Sequence, residues 1–205
     1  MKLLREYIRE LLTESAIDSK IMSMIDRAEA AGYRALVYDG GVSIYDPSIN
    51  VSDHPTKINA KNSRASVKWY SVTGSFGPCL KAAMVNASRS TEPLGPLAYD
   101  LAIEYSGGLV SDRMEVSSDA RAVWDYYMDN RSDVIKQQLD DMDDWLTPDR
   151  EDNCTQEIEG TGGTAVDMFP DSPKAWVDSS LSKMYKKSGT PVMDELRRRK
   201  MLDER

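Results

Sequence analysis

The spacing of apolar and polar positions predicts helices at both ends of the chain and strands between them. In the opening run MKLLREYIRELLTE, apolar side chains recur with helical period opposite charged ones. A second helical stripe ends before Gly32, whose lack of a side chain suits the residue after a helix. This stripe comprises Ile17, Ile21, Met24, Ile25 and Ala28.

The middle of the chain has the patterns of strands, with two helices among them. Two β-rich runs flank Asp39-Gly40-Gly41, which is typical of a hairpin. RASVKWYSVTGS, CLKAAMVNAS and GLVSD predict three further strands. Between the last two, an apolar stripe from Leu97 to Tyr105 predicts a helix that ends at Gly107-Gly108. Ser117 or Ser118 is the expected N-cap of the next helix, SSDARAVWDYYMDN.

The last third of the chain is predicted to be mainly helical. DVIKQQLDDMDDWL continues with helical spacing, and a loop region follows it. Two closing helices are expected, one from Ser172-Pro173 to before Gly189 and one from Thr190-Pro191 to the end. The chain therefore divides into an N-terminal amphipathic helix (1–14), an α/β core (15–165) and a C-terminal helical extension (166–205).

Composition narrows the classes of function. The net charge of −8 argues against a general nucleic-acid binder, and no run is long and apolar enough for a membrane span. Two cysteines make no disulfide framework, so a reducing setting is expected, with Cys79 as a buried thiol. The single histidine, His54, is expected on an exposed loop. Metal and Cys–His chemistry are therefore not expected.

Two charged clusters are each open to two interpretations. The acidic patch at Asp140, Asp141, Asp143 and Asp144 is solvated surface, or it binds a cation or an amine. The basic run from Arg197 to Lys200 is a solvated helix face, or it contacts phosphate or an acidic partner.

The stretch MVNASRSTEPLGPLAYDLA places a helix start directly after an apolar strand and a glycine-containing loop. Free amides and the positive end of the helix dipole favour phosphate at such a position. An ordinary strand–helix–strand crossover has the same pattern. Both interpretations are open.

The order helix, hairpin, two strands, glycine loop, helix, strand, helix resembles the GCN5-related N-acetyltransferase (GNAT) superfamily. This resemblance implies a mixed, mostly antiparallel sheet flanked by helices, and acetyl-CoA held by a Q/R-x-x-G-x-G/A loop. Here Ser90 stands at the first position and Gly95 at the last glycine, while Pro93 replaces the earlier glycine and removes one N–H donor. The resemblance implies a cofactor-binding set of Met84, Val85, Asn86, Arg89, Ser90, Leu94, Gly95, Pro96 and Leu97.

A second motif of the family, A-x-x-L-Y, corresponds to DARAVWDYY. Ala120 matches its alanine, and Trp124 stands where the tyrosine that protonates the CoA thiolate is expected. Because indole is not a general acid, the resemblance assigns this role to Tyr126 or Tyr127. The alternative is that Trp124 and Tyr127 are aromatic residues facing the core.

The N-terminal helix resembles the targeting segments of tailed bacteriophages related to T4, which the prohead protease cleaves after (Leu/Ile)-x-Glu. Leu12-Thr13-Glu14 before Ser15 fits that pattern. This resemblance implies that residues 1–14 contact phage capsid or scaffold proteins, and that the chain resides in the virion or the infected host cytoplasm. The alternative is a helix that packs on its own domain.

The resemblances to the GNAT superfamily and to phage targeting segments imply three functions. The first is an acyl-CoA-dependent N-acyltransferase with an unknown amine acceptor. The second is a non-catalytic virion or internal head protein on the same scaffold. The third is a nucleobase-modifying enzyme, which the acidic charge disfavours.

Overall fold

A computed structural model describes residues 17–49, 62–72, 76–141, 146–156 and 176–205. Within these ranges, four α-helices flank one eight-stranded sheet, which confirms the predicted α+β class. The helices are α1 (Ser19–Ala30), α2 (Gly95–Ser106), α3 (Ser118–Asn130) and α4 (Pro191–Arg198). The strands are β1 (Arg34–Tyr38), β2 (Gly41–Tyr45), β3 (Ser63–Ser71), β4 (Ala83–Ser90), β5 (Leu109–Val110), β6 (Ile135–Gln138), β7 (Lys183–Lys186) and β8 (Leu202–Glu204).

The strand order across the sheet is β6-β7-β5-β4-β3-β2-β1-β8. Strands β1 to β4 form an antiparallel meander, and α2 then crosses over so that β5 runs parallel to β4. β7 lies antiparallel between β5 and β6, and β8 pairs in parallel with β1. The sheet is thus mixed and mostly antiparallel, as predicted.

Several local signals are confirmed. Asp39 and Gly40 form the two-residue turn between β1 and β2, and Gly40 has a φ of +79°, which glycine adopts without strain. Ser117 is the N-cap of α3, and its side chain accepts a hydrogen bond from the amide of Ala120. Gly107 ends α2 in the left-handed conformation.

Alternation along the strands separates two apolar clusters. Ala83 and Val85 of β4 belong to the larger cluster, which includes residues of all four helices. Met84 belongs to a smaller cluster with Val110 and the two cysteines. Successive side chains of a strand point to opposite faces, so the sheet has a helix-covered face and a second face beneath the loop of residues 146–156.

Two segments that were predicted to be helices contain strands, so these predictions are wrong for the residues that the structure describes. Residues 135–138 form β6 and residues 183–186 form β7, although both segments are rich in residues that favour helices. In β7, Met184 and Tyr185 enter the two opposite clusters, so pairing in the sheet overrides local propensity. The last helix begins at Pro191 as predicted, but it ends at Arg198 and is followed by β8. The segments Met1–Ala16 and 157–175 lie outside the described residues, together with His54.

A buried ionic network joins α4 to the rest of the fold. The carboxylate of Glu104 accepts hydrogen bonds from the amides of Val192 and Met193 at 3.1 and 2.9 Å, which satisfies free donors in the first turn of α4. Lys187 Nζ lies 2.9 Å from Glu104 and 2.6 Å from Asp100. These contacts make the C-terminal segment part of the core.

Arg131 completes the network from the end of α3. Its guanidinium donates two hydrogen bonds to the carboxylate of Asp100, at 2.7 and 2.8 Å, and also forms an ion pair with Asp133. The side chains of Arg131 and Asp100 are fully buried. Buried charges of this kind are compatible with folding only when they are paired.

The prediction that Cys79 is a free thiol is wrong, because Cys79 and Cys154 form a disulfide bond. Cysteine usage therefore no longer supports a reducing setting. The disulfide joins the turn that leads into β4 to the segment of residues 146–156.

For some residues of the two charged clusters, the structure decides between the interpretations given above. Asp140 is fully buried, so it is not solvated surface. Arg197, Arg198 and Arg199 are engaged within the chain by acidic side chains. Their ion-pair partners are Asp26, Glu29, Asp194, Glu195 and Glu204. No helix among the described residues combines the length and the apolar character needed to cross a membrane.

Candidate functional site

The second half of β4 is exposed although β4 lies near the centre of the sheet. Residues 83–85 are buried and residues 86–90 are exposed. The cause is the short neighbour β5, which pairs only Leu109 and Val110 with the start of β4. Beyond Val85, β4 has no described strand on that side. The open edge from Val85 to Ser90 is about 17 Å long, at about 3.3 Å per residue.

Specific contacts direct the chain away from β4 after β5. The side-chain amide of Gln156 donates to the carbonyl oxygen of Asp112 at 2.7 Å, and its Oε1 lies 3.2 Å from Ser111 Oγ. The buried guanidinium of Arg113 donates to the carbonyl oxygens of Ser111 and Leu181. These contacts hold the chain after β5 away from β4, which leaves a cleft beside the open edge.

A β-bulge changes which side chains of β4 face the helices. Lys68 of β3 pairs with Ala87 and Trp69 pairs with Val85, so Asn86 is the extra residue. Ser88 and Ser90 consequently pair with Val67 and Ala65, which belong to the helix-side cluster. The bulge therefore places small serines under the helices, where regular alternation would place Ala87 and Arg89.

Two adjoining cavities lie along this open edge. The first, of about 180 Å³, is here called the acidic cavity, and the second, of about 300 Å³, the Gly95 cavity. Both are lined by Ser88, Tyr99, Ser117 and Ala120. The acidic cavity is also lined by Val85, Asn86, Ala87, Asp112, Glu115, Val116 and Trp124. The Gly95 cavity is also lined by Ser66, Val67, Arg89, Ser90, Gly95, Asp119 and Val123.

The start of α2 presents unpaired amides beside the Gly95 cavity. No side chain caps this helix, and no described group accepts from the amides of Gly95 and Leu97. The amide of Leu94 donates to the carbonyl oxygen of Glu92 at 2.6 Å, and Pro96 has no N–H. The amides of Gly95 and Leu97 are therefore free to bind phosphate.

Tyr99 is the residue that the sequence did not single out. Its side chain is only 2% exposed, lies between the two cavities, and its hydroxyl has no hydrogen-bond partner among the described residues. Burial raises the pKa of Tyr99, and the nearby Ser88 side chain offsets part of this rise without forming a hydrogen bond of normal geometry. A buried hydroxyl without a partner is uncommon in proteins, and a polar ligand atom would satisfy this one.

The two predicted acids lie away from both cavities. The hydroxyl of Tyr127 is fully buried and contacts Asp100 and the carbonyl oxygen of Pro96. Burial raises the pKa of Tyr127 well above its usual value. Tyr126 donates to Asp18 at 3.2 Å, and burial, with the Asp18 charge, raises its pKa to about 12. Trp124 packs edge-on against Tyr99 at 5.2 Å, so the geometry favours the core-facing interpretation for Trp124 and Tyr127.

The predicted cofactor-binding residues divide into two groups. Val85, Asn86, Arg89, Ser90 and Gly95 line the cavities. Met84 points to the opposite face of the sheet, and Leu94 and Leu97 are buried in the helix-side cluster. The contribution of Leu97 is thus limited to its backbone, and the carbonyl oxygen of Pro96 is engaged by Tyr127.

No protein-family model, curated protein or solved structure matches this chain. The functional interpretation therefore depends on the geometry of the cavities.

Proposed function

We propose that this chain is an acyl-CoA-dependent N-acyltransferase. The observation that carries the proposal is the open edge of β4, which ends at the uncapped start of α2. An extended ligand with amide groups can pair with an unpaired strand edge, and its phosphates can bind free amides at a helix start. Acyl-CoA combines these two features. The order of elements from α1 to α3 also supports the resemblance to the GNAT superfamily.

The residues that line the cavities fit such a ligand. The N-termini of α2 and α3 supply positive charge to the Gly95 cavity, where a pyrophosphate would bind. Asp119 also lines this cavity, and the positive end of α3 accounts for an acidic residue in the first turn of that helix. A Cβ atom added at Gly95 would approach only Ser90, at 3.7 Å, so the space beside Gly95 is free for a ligand.

Tyr99 replaces the predicted tyrosines as the candidate group beside the reacting atoms. When bound, acyl-CoA supplies an activated acyl group and a thiolate leaving group. Because burial raises its pKa, the Tyr99 hydroxyl stays protonated at neutral pH and can donate a hydrogen bond where negative charge develops on sulfur. The bulge at Asn86 and the small Ser88 side chain leave room for that contact.

The proposal is tested by acetyl-CoA binding, measured by calorimetry and by the shift in thermal unfolding. We expect a stabilisation of about 2.7 kcal/mol at a hundredfold excess over the dissociation constant. Gly95→Val should abolish the shift while leaving the free protein folded, because the added side chain projects into the cavity.

Gly189→Val is the matched control, since Gly189 precedes α4 and an added Cβ meets only Pro191, at 4.0 Å. It should retain the full shift. Equal binding by both variants, or no binding by the unaltered protein, would refute the acyl-CoA site. In the second case the virion-protein hypothesis, which concerns residues 1–14 outside the described ranges, would become the leading alternative.

A further inference from the structure

The two cavities differ in charge, which suggests that they receive different ligands. The described residues that line the acidic cavity include two carboxylates, Asp112 and Glu115, and no cationic side chain. The Gly95 cavity is lined by one carboxylate, Asp119, and by the free amides of α2. If an anionic donor enters through the Gly95 cavity, the acidic cavity faces the other substrate.

The carboxylate of Asp112 is fixed in position beside its cavity. Its Oδ1 accepts the amides of Met114 and Glu115 at 2.8 and 3.2 Å. The neighbouring Arg113 is turned away, because it donates to the carbonyl oxygens of Ser111 and Leu181. Among the described residues, no guanidinium forms a hydrogen bond with Asp112, so an incoming cation can use its charge.

Tyr99 gives an independent indication that a ligand binds here. Its buried hydroxyl has no partner among the described residues, and it lies where the two cavities adjoin. A polar atom at this junction would satisfy the hydroxyl. The junction is also where a donor from one cavity and an acceptor from the other would meet.

We propose that the acceptor is a primary amine on an unbranched cationic chain, such as a diamine or a lysine side chain, which enters through the acidic cavity. Asp112 and Glu115 attract its ammonium group and repel amines that carry a neighbouring carboxylate. This inference rests on the proposed acyltransferase function.

The reaction balances without a further reactant. The amine nitrogen forms an amide bond with the acyl carbon, and the C–S bond of the thioester breaks. Of the two protons that the ammonium group gives up, one ends on sulfur as CoA thiol and the other goes to solvent.

The test compares 1,4-diaminobutane with 4-methoxyaniline, an amine that is uncharged at neutral pH, as acceptors for acetyl-CoA. Asp112→Asn keeps an oxygen for the amides of Met114 and Glu115, and Glu115→Gln changes an exposed side chain, so both variants should fold. Each should raise KM for the diamine about fivefold to tenfold. KM for the arylamine and the dissociation constant for acetyl-CoA should not change.

Asp129→Asn is the matched control, because it removes an exposed carboxylate near the other end of α3 that lines neither cavity, and it should leave KM for the diamine unchanged. Binding of 1,4-diaminobutane to the protein–CoA complex, measured by calorimetry, should weaken in the Asp112 and Glu115 variants alone. If acetyl-CoA binds but the diamine is unaffected by these variants, or glycine is the better acceptor, the amine assignment is overturned and the acyltransferase proposal stands. If acetyl-CoA does not bind, both are overturned.

Discussion

At the scale of single residues, removing the hydroxyl of Tyr99 and removing that of Tyr127 should have different effects on the free energy of unfolding. The Tyr99 hydroxyl is buried and has no hydrogen-bond partner in the part of the chain that the structure describes, whereas the Tyr127 hydroxyl contacts Asp100 and Pro96. Tyr99→Phe should leave the free energy of unfolding unchanged or raise it by up to about 1 kcal/mol, because it removes an unsatisfied group. Tyr127→Phe should lower it by about 1 to 3 kcal/mol, because a hydrogen bond to a charged group is lost. Denaturant unfolding measures both.

In transfer activity, Tyr99→Phe should be the more damaging of the two variants. Tyr99→Phe should lower kcat with little change in acetyl-CoA binding, and Tyr127→Phe should leave kcat of the folded protein intact. A loss of stability in Tyr99→Phe equal to that in Tyr127→Phe would mean that the Tyr99 hydroxyl has a partner in the free protein.

No sequence pattern marks Tyr99 as a site residue, and the reason is physical. In GPLAYDLA, Tyr99 is one apolar position of a buried helix, indistinguishable from Leu97 or Leu101. Its role depends on the bulge at Asn86, which turns Ser88 toward it, and such a register shift arises from pairing with β3. The helix that begins at Gly95, in contrast, was predictable, because its apolar spacing and its glycine stop lie within one short segment.

At the scale of elements, the disulfide supports the turn that leads into β4. Cys79, Leu80 and Lys81 have φ angles of 44°, 53° and 59°, a left-handed run that costs about 1 to 2 kcal/mol per residue. The bond closes a loop with a sequence separation of 75 residues, for which chain entropy predicts a stabilisation of about 4 to 5 kcal/mol. It also tethers the segment whose Gln156 binds Ser111 and Asp112, where the chain leaves β4 after β5.

Reduction should therefore lower both stability and ligand affinity. We expect the midpoint of denaturant unfolding to fall on adding a thiol reductant, and the dissociation constant for acetyl-CoA to rise, because the cleft is less firmly held. A Cys79→Ala/Cys154→Ala variant should show the lower midpoint without reductant and no further change with it. An unaltered protein that is insensitive to reductant would contradict this account.

At the scale of the whole molecule, the division into a core of residues 15–165 and a C-terminal extension does not describe the sheet. The final 30 described residues contribute β7 to its interior and β8 to its edge. The sequence could not show this, because KMYK is too short for its alternation to be distinguished from a helix turn. The prediction of α2 and α3 succeeded because helical spacing over twelve or more residues is a signal within the segment itself, whereas β7 is defined by distant partners.

The different positions of β7 and β8 predict different effects of truncation. A chain that ends at Gln156 lacks β7, which pairs with both β5 and β6, and it lacks Lys187, the cation that compensates Glu104 and Asp100. It should show no cooperative unfolding, because an uncompensated buried charge is added to the loss of an interior strand. A chain that ends at Met201 keeps this buried residue and lacks β8, together with the ion pairs of Asp203 with Arg34 and of Glu204 with Arg197, which are partly exposed. Since edge pairing of this kind contributes little, the longer chain should still unfold cooperatively, at a lower midpoint. Circular dichroism during urea titration distinguishes the two, and cooperative unfolding of the shorter chain would restore the C-terminal segment to the status of an extension.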